Sequence, residues 1–190
     1  SPDTSLTFDV VTSRPAFDAL EREWNDLFAR AGRGEHVFQT FNWCWHWSRH
    51  YLDGRRKLAI VTGRCDGRLV LVWPLVTERF AGLTQLVWMG GPVAQYGDVL
   101  IDPAIDAGAA LGAAHRHLLA GVRADLMRLR LVRDDGVVAT FLAGQAARVT
   151  QRYEAPYLDL AGAPGFAAYE ARYPAKARKN RRRLLRRLEE

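Results

Sequence analysis

The amino-acid sequence predicts a mixed α/β fold, a mixed sheet with helices on both of its faces. Three observations carry this expectation. Segments of strand-like and helix-like periodicity follow one another as β-α-α-β-β-β-α-β-α-β-β, which is neither a βαβ alternation nor an all-β run. Apolar residues make up 48% of the 190-residue chain, enough for a sizeable core. Turn signals separate the segments, at Asp66-Gly67, Ala81-Gly82 and Gly90-Gly91-Pro92.

Each element has a local reason. Leu6 to Thr12 alternates apolar and polar residues, as a half-buried strand does. Ser13 is placed to cap a helix entered at Pro15, whose missing N–H costs nothing in a first turn. Phe17, Leu20, Trp24, Leu27 and Phe28 give that helix one apolar face, and Gly32 or Gly34 ends it. Thr40 caps a second, aromatic-rich helix from Phe41 to Leu52. Arg56–Arg64 and Arg68–Glu78 read as a hairpin closed by Asp66-Gly67, and Thr84–Met89 as a third strand. A loop then runs through Tyr96 and Asp98. An Ala-rich helix starts at Asp102 or Pro103 and lasts to about Gly121. Leu126–Val132 reads as a strand, and a short helix opens at Asp134-Asp135-Gly136 and runs to about Ala147. Strand-like Arg148–Tyr153 and Tyr157–Leu160 follow, then a short helix near Phe166–Tyr173 and a basic helix from Pro174. The expected division is a lobe over 1–173 and a basic helix over 174–190.

Composition excludes several classes. The longest apolar run, Leu69 to Val76, is eight residues and contains Pro74, against about 20 for a membrane-spanning helix. Two cysteines, Cys44 and Cys65, make no disulfide framework, and a reducing cytoplasm is expected. The net charge of +6 is a property of one segment. The last twenty residues carry +7, so the other 170 sum to −1. A neutral body of this kind speaks against a nucleic-acid-binding module, the reading that the overall charge alone suggests.

Certain residues resemble a known family. Leu20-x-x-x-Trp24, Phe38-Gln39-Thr40 with Trp43 and Trp47, Trp73-Pro74-Leu75, Gly90-Gly91 with Tyr96-x-Asp98, and Lys176-x-Arg178-Lys179-Asn180-x-Arg182-Arg183 together resemble the CelD-type GNAT acyltransferases associated with cellulose biosynthesis. That family is distantly similar to the Fem-type tandem GNAT enzymes. The resemblance spans Phe8 to Glu190. It implies two GNAT-like lobes, with acyl-CoA held by the second, and a basic segment such as Lys176–Arg183 leading into it. This chain is therefore expected to be the N-terminal, acceptor-cleft-forming lobe, partnered by a C-terminal GNAT lobe and inactive alone. The implied reaction moves an acyl group from a coenzyme A thioester to an amine or hydroxyl of a small-molecule, saccharide or envelope-related acceptor. No cofactor site is expected here. A lobe that binds coenzyme A needs side-chain-free backbone amides at a helix start to hold the pyrophosphate. The corresponding stretch, Gly97 to Pro103, offers Asp98 and Asp102 instead of glycines. The rival from another class is a degenerate, non-catalytic lobe that scaffolds a polysaccharide-synthesis complex.

Substrate-binding candidates are Tyr96, Asp98, Trp43 and Trp47; no catalytic residue is assigned. Tyr96 and Asp98 follow the Gly-Gly-Pro loop, where a carboxylate and a phenol can orient an acceptor amine or hydroxyl. Alternatively, Asp98 begins a strand or caps a turn. Trp43 and Trp47 lie one turn apart and could stack on a sugar, peptide or acyl chain, or pack in the core. His46 and His50 share a helix face but lack further ligands, so no metal site is expected. Cys44 has no nucleophile context. Leu184, Leu185 and Leu188 give the basic helix an apolar stripe, which favours docking on protein over free solvation.

Overall fold

The computed structural model describes residues 6–156 and 165–189. The chain forms two compact units, Ser1–Val149 and Thr150–Glu190.

The first unit is mixed α/β, built on one long hairpin that serves two sheets. Its first arm comprises β2 (Arg56–Leu58) and β3 (Ile60–Cys65), and its second β4 (Arg68–Trp73) and β5 (Leu75–Phe80). Each arm was expected to be a single strand, but both break at one level. Pro74 has no N–H to give the ladder, and the arms stay joined there by Ala59 N–H donating to Leu75 O at 3.1 Å. Beyond the break each half recruits its own neighbours. With β1 (Leu6–Val11) and β7 (Leu100–Ile101) one sheet runs β1-β3-β4-β7, and with β6 (Leu83–Trp88) and β8 (Leu126–Met127) the other runs β2-β5-β6-β8. All pairings are antiparallel except β6 with β8. Both hairpin turns form as expected. Asp66 and Gly67 (φ 49° and 80°) and Ala81 and Gly82 (φ 50° and 82°) supply the paired left-handed residues that match strand twist.

Helices cover both faces. Ser13 and Thr40 cap as predicted, accepting from Ala16 N–H at 3.4 Å and Trp43 N–H at 3.2 Å. The first helix, however, is two: α1 (Arg14–Asp18) and α2 (Glu21–Ala31). The ladder tightens where Leu20 N–H donates to Phe17 O, and across this joint Phe17, Leu20, Trp24 and Leu27 all remain buried. Against α3 (Phe41–Tyr51) they form one core with Leu58, Ile60, Leu69 and Val72. The opposite face packs Val61, Leu71, Trp73 and Leu86 against Leu111 and Leu118 of α4 (Ala107–Gly121) and Val138 of α5 (Val137–Ala143).

Five expectations are corrected. A 3-10 helix, Gly34–Gln39, stands where only a helix end was expected. Helix α4 begins at Ala107, not Asp102 or Pro103, because Asp102 is held in an ion cluster and Asp106 takes the cap, accepting from Ala109 N–H at 2.8 Å. The strand expected over 126–132 pairs with β6 only at Leu126 and Met127, with one further bridge between Val132 and Gly97. Between them the Trp88 indole N–H donates to Arg130 O at 3.0 Å, so a side chain replaces the ladder and the two strands part. Residues 148–156 form no strand and are exposed; the expected strand over 157–160 lies outside the described residues. Helix α5 is also shorter than expected, ending at Ala143 with Gly144 as its cap.

The second unit contains α6 (Phe166–Ala171) and α7 (Ala175–Glu189). Arg181 stacks over Tyr173 at 3.8 Å, and Tyr173 and Tyr169 share a hydroxyl hydrogen bond of 2.8 Å. Leu184 and Leu185 of α7 are half exposed.

Candidate functional site

The 3-10 helix, the loop leading from Gly97 to β7 and the start of α5 enclose a groove of about 390 Å³. Asp98 sits in its wall and is only 4% exposed. The carboxylate begins the return to the sheet: Oδ1 accepts from Val99 N–H at 2.9 Å. Oδ2 faces His36 Nε2 at 3.7 Å, too long for a hydrogen bond. His36 Nδ1 accepts the Arg33 backbone N–H at 3.1 Å, which puts the neutral ring's proton on Nε2, toward Asp98. Gly136 closes the other side, where an added Cβ would stand 2.7 Å from Asp98 Oδ2. Asp98 therefore needs glycine at 136.

Arg30 and Arg133, which line the groove, are engaged elsewhere, while Arg33 stands exposed at its rim. Arg30 donates to Asp102 Oδ2 at 2.9 Å and to the carbonyls of Asp26 and Leu69. Arg68 meets the same Asp102 oxygen at 2.9 Å, and Ala104 N–H donates to Oδ1 at 3.1 Å. Burial is the largest single influence on Asp102 and pushes its pKa up. The Ala104 and Arg30 hydrogen bonds and the charges of Arg30 and Arg68 together outweigh it, so the carboxyl titrates below its ordinary value. Arg133 grips Asp135 with two bonds of 2.9 and 2.6 Å, which lowers the Asp135 pKa.

Because Asp102 titrates lower in the folded chain than in the unfolded one, its stabilisation is complete above the ordinary carboxylate pKa. It is lost as pH falls through the lowered folded value. Asp102→Asn is expected to cost about 2 kcal/mol at neutral pH and to flatten the acid limb of a stability profile. Urea midpoints measured between neutral and acid pH check this; an unchanged acid limb in the variant refutes it.

Of the four sequence candidates, Asp98 lines the groove. The Tyr96 ring meets Phe38 edge-on at 4.9 Å and lies under the Arg133 guanidinium at 5.2 Å. The tryptophans do not join them as ligand platforms. Trp47 is 4% exposed, stacks on Tyr51 and donates its indole N–H to Gly91 O at 2.9 Å, pinning the Gly-Gly-Pro loop. Trp43 packs edge-on against Phe38, with its Nε1 buried beneath Gly90. His36 was not singled out from sequence, since one histidine between two helices carries no pattern. Only the fold brings it to Asp98, 62 residues on.

Other candidates fall away. His46 and His50 are exposed, and no group of three potential metal-ligating residues occurs among the described residues. Burial pushes the Cys44 thiol pKa far up, so it is not a nucleophile at neutral pH. No helix among the described residues is long and apolar enough to cross a membrane.

No family model matches the chain, and no curated protein does. Among solved structures it is similar to an aminoglycoside acetyltransferase from an uncultured soil metagenomic sample, in complex with trehalose. There the identity is 12% and the TM-score 0.45, over 84% of this chain and 99% of that one. It is also similar to a ribosomal-protein-alanine N-acetyltransferase from Brucella melitensis biovar Abortus 2308. In that case the identity is 13% and the TM-score 0.43, over 80% of this chain and 99% of the other.

Proposed function

We propose that this chain is the acceptor-binding lobe of a cytoplasmic GNAT-type acyltransferase of the CelD type. A second GNAT lobe holds acyl-CoA, and the acceptor is an amine or hydroxyl of a polysaccharide- or envelope-related molecule. The observation that carries this reading is the Asp98 carboxylate, buried in a groove wall with one oxygen that takes no hydrogen bond from the described residues. Such a group can orient an acceptor and take up its proton. The carboxylate of Asp106 at the start of α4 supports the other half of the reading, that acyl-CoA is held elsewhere. The resemblance in Lys176–Arg183 and the apolar Leu184 and Leu185 fit α7 to dock on the second lobe.

The test is acyl transfer by the two-lobed protein with saccharide and amino-sugar acceptors. Asp98→Asn keeps the Val99 hydrogen bond but removes the charge, and is expected to lower kcat/KM about 100-fold while changing stability by about 1 kcal/mol. Gly136→Ala pushes on the same carboxylate and is expected to act in the same direction. Tyr96→Phe keeps the ring packing and is expected to change transfer by less than about threefold, about 0.6 kcal/mol. Normal transfer by Asp98→Asn removes the assignment of this groove.

A further inference from the structure

We infer that the groove binds its ligand through a primary ammonium group seated on Asp98. The inference deepens the acceptor-site reading and rests on it for the site's role.

The argument is one of charge pairing. Asp102 is paired with Arg30 and Arg68, and Asp135 holds Arg133 in a two-bond grip. Glu35 lies 3.9 Å from Arg33 at the rim, where the arginine is 77% exposed. Among the described residues Asp98 has no arginine or lysine partner: its side chain is 6% exposed and the ionisable group facing it is His36 at 3.7 Å. The neutral imidazole already spends Nδ1 on the Arg33 N–H. A buried carboxylate without a counter-charge is costly, and a cation that reaches it recovers that cost. A hydroxyl offers one neutral hydrogen bond; an ammonium offers charge and three donors. With Arg30 and Arg133 committed to other carboxylates and Arg33 out at the rim, none of the groove's guanidinium groups pairs with Asp98 among the described residues. The volume, about 390 Å³, suits a group of monosaccharide size.

The experiment titrates the chain with glucosamine, glucose and N-acetylglucosamine while following the ring nitrogen resonances of His36 by NMR. Glucosamine is expected to shift the His36 resonances and to bind about tenfold or more tightly than glucose, the difference a charge-assisted hydrogen bond makes. N-acetylglucosamine should behave like glucose, and Asp98→Asn should abolish the preference. Equal response to the sugars, no response to glucosamine, or a preference that survives Asp98→Asn overturns the inference. The sugar comparison on the unmodified chain stands even if Asp98→Asn does not fold. Failure here, with hydroxyl acceptors still acylated by the two-lobed protein, removes only the ammonium. Ammonium binding without any acyl transfer removes the acyltransferase reading instead.

Discussion

Trp24→Ala is expected to destabilise the first unit by about 3–5 kcal/mol, the cost of emptying a fully packed aromatic site. The indole has no exposed surface. It lies 5.8 Å from Phe17 and 5.7 Å, edge-on, from Phe41, so α1 and α3 both lean on it. Its Nε1 also donates to Gln39 O at 2.9 Å, fastening the end of the 3-10 helix that carries His36. Truncation thus leaves a cavity and a buried carbonyl without its donor. Trp24→Phe separates the two contributions: most of the ring remains and the hydrogen bond is lost, for an expected cost of about 1–3 kcal/mol. Urea unfolding followed by circular dichroism measures both. A cost below about 1.5 kcal/mol for Trp24→Ala would mean the site collapses freely, and that Trp24 does not set the position of the groove wall.

The sequence carried the mixed α/β class, the capping residues and both hairpin turns, because each depends on neighbours within a few positions. Ser13, Thr40, Asp66-Gly67 and Ala81-Gly82 act where periodicity and turn chemistry place them. What it did not carry depends on distant residues. Pro74 breaks the hairpin into two sheets only because Ala59 lies opposite and further strands flank each half. The strand after α4 is cut short by the indole of Trp88, and no local signal within 126–132 announces that. At the candidate site, Asp98 and Tyr96 stood out through their loop; Asp98 lines the groove, and Tyr96 packs against Phe38 and Arg133. The burial of Asp98 was not foreseen. Asp98 is a wall residue whose surroundings, His36 and Gly136, come from two other elements. Trp43 and Trp47 followed the commoner fate of aromatics at helical spacing, which is core.

Acetyl-CoA is expected to find no one-to-one micromolar site on this chain, a shortfall of several kcal/mol against the roughly 8 kcal/mol that micromolar binding represents. The reason lies at the start of α4. A pyrophosphate on a helix N-terminus needs free amides and the positive end of the helix dipole. Here Asp106 Oδ1 already takes the Ala109 N–H at 2.8 Å and sets a negative charge over that first turn. Gly108 does not open a cradle, because its missing Cβ faces the Asp106 carboxylate at 3.5 Å. Gly112 lies further along, near Arg116 and Phe141, as a packing position. Asp102, kept ionised by Arg30 and Arg68, adds a second carboxylate just upstream. Asp106→Ser retains a capping oxygen without the charge. It is expected to remain unable to bind, since removing repulsion does not create the glycine-lined approach a pyrophosphate requires. Isothermal calorimetry with acetyl-CoA on the chain and on Asp106→Ser decides the matter. Micromolar binding by the unmodified chain would place a coenzyme site on this lobe and defeat the division of labour proposed for it. Binding that arises only in Asp106→Ser would show that one carboxylate, rather than the missing glycines, closes the helix to the thioester.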